Sequence, residues 1–241
     1  MPRRRSASRR KSSKPRRSGR RTSGKRRSSS RAPPMRYRHR KVLRDNIHGF
    51  KNPQIKRISL KAGVGQLSGS VYDLTKRYIG VFLHELVKTA VTYAEHSRRK
   101  TITVQDILDA FERITAGHKI YGTDSSEGCK MYKGKKGKVS QATYITRQIG
   151  FYQRQHDCFY FTRTAVDRFL KEVTQDYNLN MRWTAEAKIA AQAALENYIL
   201  QLFQKAGLIA HEQKRTTVMD KDLFLAARLC GAFNMNRPLE Y

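Results

Sequence analysis

Arg99-Lys-Thr-Ile-Thr-Val-Gln-Asp106 stands in one half of the chain, and Arg215-Thr-Thr-Val-Met-Asp-Lys-Asp222 stands 116 residues further on. Both read Arg-x-Thr-[Ile/Val]-x-x-x-Asp. Each follows a long apolar run at helical spacing and opens a shorter one. A pattern repeated together with its flanks marks two copies of one small helical unit. Such a helix–loop–helix unit leaves an apolar face that it cannot bury alone. The simplest expectation is that the two copies bury those faces on each other. The Arg and Asp of each copy are expected to pair and brace the loop against the last helix, a structural role rather than a catalytic one.

Around the first copy, Asn52 before Pro53 reads as a helix start, a side-chain cap followed by Pro at the first helical position. That helix should run to about Lys61, and Gly63 and Gly65 break it. Ser68 can cap a long amphipathic helix carrying Val71, Leu74, Tyr78, Val81, Phe82, Leu86, Ala90 and Tyr93 at three- and four-residue steps. Thr103 and Asp106 then make a capping-box-like start for a short helix with Ile107, Leu108, Phe111 and Ile114. Residues 37–114 are therefore the first unit. Residues 115–141, rich in Gly, Ser and Lys, read as a linker.

The second unit, 142–232, repeats the first with an added N-terminal helix near Thr143 to Arg154. A helix bearing Val166, Phe169, Leu170, Val173 and Tyr177 follows. Thr184 caps a long Ala-rich helix with Ile189, Leu195, Tyr198, Ile199, Leu202, Phe203, Ala206 and Ile209. Leu223, Phe224 and Ala227 belong to the last helix, and 233–241 is a short extension. The expected fold is all-α: two short–long–short helical units paired within one chain, behind a basic tail.

The formal net charge is +31, from 50 Lys+Arg against 19 Asp+Glu. Nineteen of the basic residues and none of the acidic ones fall before Val42, which leaves +12 for the remainder. Residues 1–36 are almost wholly Arg, Lys, Ser, Pro and Gly, too poor in apolar residues to form a core. A basic body behind a more basic tail points to a large polyanion, nucleic acid before an anionic membrane. No stretch is long and apolar enough to span a bilayer, and the N-terminus lacks the apolar segment of a secretory signal. Cys129, Cys158 and Cys230 are odd in number and widely spaced, which suggests a reducing compartment and no disulfide framework. The seven histidines offer no metal-binding spacing, and there is no phosphate-loop or zinc-protease motif. No cofactor and no enzymatic activity are expected.

Arg38-His-Arg-Lys-Val-Leu-Arg-Asp-Asn-Ile47, Gly49, Val91-Thr-Tyr-Ala-Glu-His96 and Arg99-Lys-Thr-Ile-Thr103 strongly resemble core histone four. Asp176-Tyr177, Leu179, Arg182, Leu202-Phe203, Lys214-Arg215 and Asp222 resemble core histone three. A histone-four-like unit fused ahead of a histone-three-like unit resembles the histone doublets of certain giant DNA viruses. The resemblance implies two histone folds embracing head to tail, each first loop beside the other unit's second loop. It implies wrapping of double-stranded DNA in a nucleosome-like particle, in a virus particle, viral factory or host nucleus. A second copy of the chain and a partner resembling the histone two-A/two-B pair are the implied protein partners.

Carried over position by position, the resemblance implies DNA contacts at Lys56, Arg57, Arg98, Arg99, Lys100 and Thr101. In the second unit it implies them at Arg147, Arg163, Arg168, Lys171, Arg182, Arg215 and Thr217. Arg182 matches an arginine that enters the minor groove. Ile209, Glu212, Asp222, Leu225, Arg228 and Leu229 match the surface that joins two copies, and Ile120, Tyr121 and Gly122 match a partner-docking strand. Some positions depart from the pattern. Gln66 stands where a second minor-groove arginine belongs, Gly65 replaces a lysine and Leu60 replaces a basic residue. Glu212 replaces a histidine that faces an aspartate across the copy–copy surface. Two other functions fit the composition: a histone-fold regulatory factor, or a protamine-like condenser acting through the tail.

Overall fold

A computed structural model describes residues 46–115, 120, 129–134, 139–156 and 158–229. The Arg/Ser tail, Tyr121, Gly122 and Cys230 lie outside the described residues. The first unit comprises α1 (Asn52–Lys61), β1 (Gln66–Leu67), α2 (Gly69–His96), β2 (Thr101–Ile102) and α3 (Val104–Ile114). The second comprises α4 (Gln141–Gln153), α5 (Arg163–Tyr177), β3 (Arg182–Trp183), α6 (Ala185–Glu212), β4 (Thr217–Val218) and α7 (Asp220–Leu229). From β1 to β4 the two units keep one offset, so α6 repeats α2 and β4 repeats β2 116 residues later.

The helix boundaries follow local chemistry. Asp106 Oδ2 accepts the Thr103 N–H at 2.8 Å at the start of α3, as the capping-box spacing predicts. Thr184 Oγ1 accepts the Ala187 N–H at 3.2 Å at the start of α6. The expectation for Asn52 is off by one residue: Asn52 is already helical, and the flanking Lys51 donates its N–H to Gln54 Oε1. Ser68 flanks α2, but its hydroxyl lies by Ser70 rather than on a helix N–H.

The two units share a single core. Phe82 of α2 and Tyr198 of α6 stack with centroids 4.3 Å apart and planes within 6°. Ile79, Leu83, Leu86, Val87 and Ala90 of α2 are fully buried with Leu195, Ile199, Leu202, Phe203 and Ala206 of α6. More of α2 is buried than one amphipathic stripe predicts, because α3, α5, α6 and α7 all pack on it. Leu60, which replaces a basic residue of the histone pattern, is a core residue at 3% exposure.

The linker holds two corrections. Residues 129–134 are packed rather than a bare spacer: Tyr132 lies against Tyr144 and Phe151 of α4. Cys129 and Cys158 form a disulfide, against the expectation of none. The reason is tertiary, because residues 129–134 run back along α4 and meet the segment leading into α5. The Cys129 N–H donates to Phe159 O at 3.0 Å.

Candidate nucleic-acid interface

Four two-residue strands pair across the units. β1 lies parallel to β4, with Gln66 opposite Thr217 and Leu67 opposite Val218. β2 lies parallel to β3, with Thr101 opposite Arg182 and Ile102 opposite Trp183. Each unit's first loop therefore lies beside the other unit's second loop, the head-to-tail arrangement expected above. The apolar partner of each strand, Ile102 or Val218, is buried and anchors the pair in the core. The polar partner alternates to the other side, as strand geometry requires.

The β2–β3 end gathers Arg98, Arg99, Lys100, Thr101 and Arg182. Arg182 donates its N–H to Lys100 O at 2.9 Å, and its side chain is exposed. The β1–β4 end gathers Lys214, Arg215 and Thr217 with Gln66. There Thr217 Oγ1 donates to Gln66 Oε1 at 3.0 Å. β1 precedes α2 and β2 follows it. A 28-residue helix therefore separates the two ends by roughly 40 Å at 1.5 Å per residue.

Both loops turn on the same backbone device. Arg98 and Lys214 have φ of 53° and 54°. In each case the next residue's N–H returns to the helix, Arg99 to Ala94 O and Arg215 to Ala210 O, both at 2.9 Å. This is a Schellman end, which usually places glycine at the left-handed position. Here both positions carry an exposed basic side chain. Lys214 is not among the expected contacts, although the repeat makes it the counterpart of Arg98.

Arg99 and Arg215 play the bracing role. Arg99 reaches Asp106 through two nitrogens at 3.0 and 2.8 Å, and Arg215 reaches Asp222 at 2.9 and 2.7 Å. Arg99 also donates to Thr101 O and Arg215 to Thr217 O, which ties each guanidinium to its strand. Burial pushes the Asp106 carboxyl up, but bonds from Arg99 and Thr103 outweigh it and hold it below the usual range. The Arg215 guanidinium holds Asp222 below that range too, against the opposing effect of burial.

Between the loop ends, α1 and α5 start side by side. Phe50 and Phe161, each just ahead of its helix, meet edge to face at 5.1 Å. A Cβ on Gly49 would come within 3.2 Å of Ala165 Cβ, so the close approach suits glycine. Neither α1 nor α5 has an acid in its own first turn. Lys56 on α1 and Arg163, Arg168 and Lys171 on α5 are exposed. Arg57 instead donates to Met131 Sδ at 3.1 Å, so it is engaged by the linker. Arg147 is exposed on α4, which packs on α1.

A buried clamp fixes the entry to α5, and nothing in the repeat announces it. Glu196 of α6 accepts the Tyr160 N–H on both oxygens, at 2.8 and 3.0 Å, and the Phe161 N–H at 2.8 Å. Gln192 Nε2 donates to Phe161 O at 2.9 Å. Burial raises the Glu196 carboxyl to about 7 despite the backbone bonds that favour its charge. The signal available in the sequence is an acid on the apolar stripe of α6.

On the surface expected to join two copies, Leu225, Arg228, Leu229 and Glu212 are exposed and Ile209 is half-buried. Asp222 is 1% exposed within the single chain, and its oxygens accept from Arg215 and the Met219 N–H. Of the docking residues only Ile120 is described, half-buried against the core. Among the described residues no helix is long and apolar enough to cross a membrane.

Residues 141–229 match the family model of the core histone domain, which spans histones two-A, two-B, three and four. Residues 52–111 match that of the histone-like transcription factor (CBF/NF-Y) and archaeal histone. Among solved structures, the chain is similar to the histone from Methanopyrus kandleri at 20% identity. That match covers 72% of this chain and 90% of that one, with a TM-score of 0.47. With one histone-family match on each side of the linker and the paired loops between them, the chain is a tandem of two histone folds.

Proposed function

We propose that this protein binds and wraps duplex DNA without reading its bases, as the central part of a nucleosome-like particle. The observation that carries the reading is the pair of parallel loop contacts. Each presents exposed basic side chains that the described structure leaves unpaired, with Arg182 and Lys214 the clearest cases. Phosphate contacts of this kind position DNA and carry no sequence information. Two ends roughly 40 Å apart, with the α1 and α5 starts between them, suit a bent duplex better than a single straight contact. Arg182, beside Thr101, is assigned to a minor groove facing the protein.

In this proposal the first unit acts as the histone-four-like partner and the second as the histone-three-like partner, at a fixed one-to-one ratio. Two chains join through α7 and the end of α6, where Leu208, Phe224, Leu225 and Leu229 expose apolar surface. The Arg228 guanidinium lies over the Phe224 ring at 4.7 Å. Arg215 pairs with Asp222, which offsets the acid that Glu212 of a second chain would face. A histone two-A/two-B-like partner completes the particle.

Reconstitution on random-sequence DNA followed by nuclease digestion tests this. Protected fragments of uniform length, retained after deletion of residues 1–36, are the expected result. Protection lost with the tail identifies a protamine-like condenser instead. A regulatory factor is the other reading, favoured by the match of 52–111 to the histone-like transcription factor family. It predicts protection confined to particular sequences when random DNA competes.

A further inference from the structure

The Cys129–Cys158 disulfide lies outside the paired loops and closes a ring that contains the whole of α4. Along that ring, Gln155 Nε2 donates to Lys130 O at 3.0 Å and the Tyr132 N–H donates to Tyr152 Oη at 3.3 Å. The Tyr132 ring meets Tyr144 and Phe151 at 5.8 and 5.4 Å, and Arg57 of α1 holds Met131. The linker segment, α4 and α1 are thus laced together at one place.

α4 itself is weakly packed. Of its 13 residues only Tyr152 is buried. Ile145 and Ile149 line a cleft of about 520 Å³ that faces Val64 and Gly65 of the first unit and Gly207 and Leu208 of α6. The approach is closest to backbone at Gly65, where a Cβ would collide with Ile145 Cγ2. A helix this short does not hold its shape in water without tertiary support. Its placement therefore depends on its packing against α1, the Gly65 contact included, and on the ring.

We propose that Cys129 and Cys158 are a redox-active dithiol that locks α4 onto α1 when oxidised and releases it when reduced. The co-reactant is a small thiol–disulfide couple of the glutathione type. A small thiolate attacks one sulfur, giving a mixed disulfide and one protein thiolate. A second small thiolate then displaces the other protein thiolate, leaving two protein thiols and one small disulfide. Two electrons and two protons have moved to the cysteine pair, and locking is the reverse. Both cysteines are half-buried rather than sealed in the core, so a small thiol can reach them. Release uncovers Val64, which is 6% exposed while α4 is in place, and frees the helix that carries Arg147. The lock does not rest on DNA binding.

Hydrogen exchange on the full chain, in a Cys230→Ser background, tests the lock without DNA. The protein is poised in oxidised or reduced glutathione, and alkylation reports the state of the two thiols. Reduction is expected to speed exchange of the α4 amides about a hundredfold, the order set by opening a loop of this length. Amides of α2 and α6 serve as the internal reference and keep their rates. Cys129→Ser should match the reduced protein in both buffers. Gly65→Val should loosen α4 even with the bond closed. Equal α4 protection in both buffers overturns the proposal, as does failure of the pair to oxidise in the disulfide buffer.

Discussion

Phe82 and Tyr198 are the same residue of the repeat, 116 positions apart, and they stack on each other where α2 and α6 cross. A residue that meets its own counterpart lies on the axis relating the two units. The stack makes the halves interdependent, since each ring has its closest aromatic contact in the other unit. Tyr198→Ala is expected to cost about 3–5 kcal/mol, the range for removing a large buried aromatic. Denaturant unfolding should remain one transition followed alike by probes in either half. Two separated transitions would mean that the units fold without each other.

The braces give the protein an acid limit. Asp106 and Asp222 titrate below the usual carboxylate range in the folded chain. Their contribution is present above the unfolded value of 3.8 and disappears as pH falls through the lower folded value. Asp222→Ala removes both the guanidinium bonds and the Met219 N–H acceptor. It is expected to cost about 2 kcal/mol, as a lost cap plus charge-assisted bonds. It should also flatten the acid limb of a stability–pH curve, and an unchanged limb would refute this assignment.

Glu196 works in the opposite sense. Its folded pKa of about 7 lies above the ordinary 4.5, so the folded chain holds the extra proton between those values. Its stabilising contribution is full below pH 4.5 and declines as pH rises toward 7. Lys61, the Tyr160 hydroxyl and Gln192 are the polar groups around it, and the Lys61 ammonium moderates the rise. Glu196→Gln keeps an acceptor and is expected to abolish this slope. Glu196→Leu strands two backbone N–H groups and is expected to cost about 3 kcal/mol. Thermal melts from pH 5 to 8 separate the two variants.

Arg98 and Lys214 hold a conformation that glycine adopts without cost. Lys214→Gly should stabilise the fold by about 0.5–1 kcal/mol, because side chains other than glycine are disfavoured at positive φ. If the basic side chain is retained for phosphate, the same variant should bind DNA more weakly and with a shallower salt slope. A gain in stability with unchanged DNA affinity would assign Lys214 no role at the duplex.

The paired loops and the braces are legible in the sequence because they repeat. A pattern seen twice at one offset carries its own control, and Arg99–Asp106 and Arg215–Asp222 take the geometry that the spacing implies. Lys214 is legible by the same rule, as the repeat counterpart of Arg98. The disulfide is not, because Cys129 and Cys158 approach only when residues 129–134 fold back along α4, which no local pattern encodes. Glu196 has Gly80 as its counterpart in the first unit, so the repeat gives it no support. The pairing of Asp222 with Arg215 is legible from the repeat, whereas its place on a copy–copy surface rests on family resemblance alone.

Gln66 is where the two loop ends differ. The repeat makes it the counterpart of Arg182, and the strand register matches that equivalence: Gln66 faces Thr217 as Arg182 faces Thr101. One end therefore presents an exposed guanidinium, and the other an amide already bonded to the threonine hydroxyl. Gln66→Arg restores the charge without disturbing the core, since position 66 is exposed while Leu67 and Val218 carry the packing. At fixed salt the variant is expected to bind duplex DNA more tightly. One added phosphate contact should also steepen the dependence of log affinity on log salt by about 0.9. Gly65→Lys, one position away, is a poor substitute because its Cβ collides with Ile145. No gain from Gln66→Arg at several salt concentrations would mean that DNA leaves the body before it reaches the β1–β4 end.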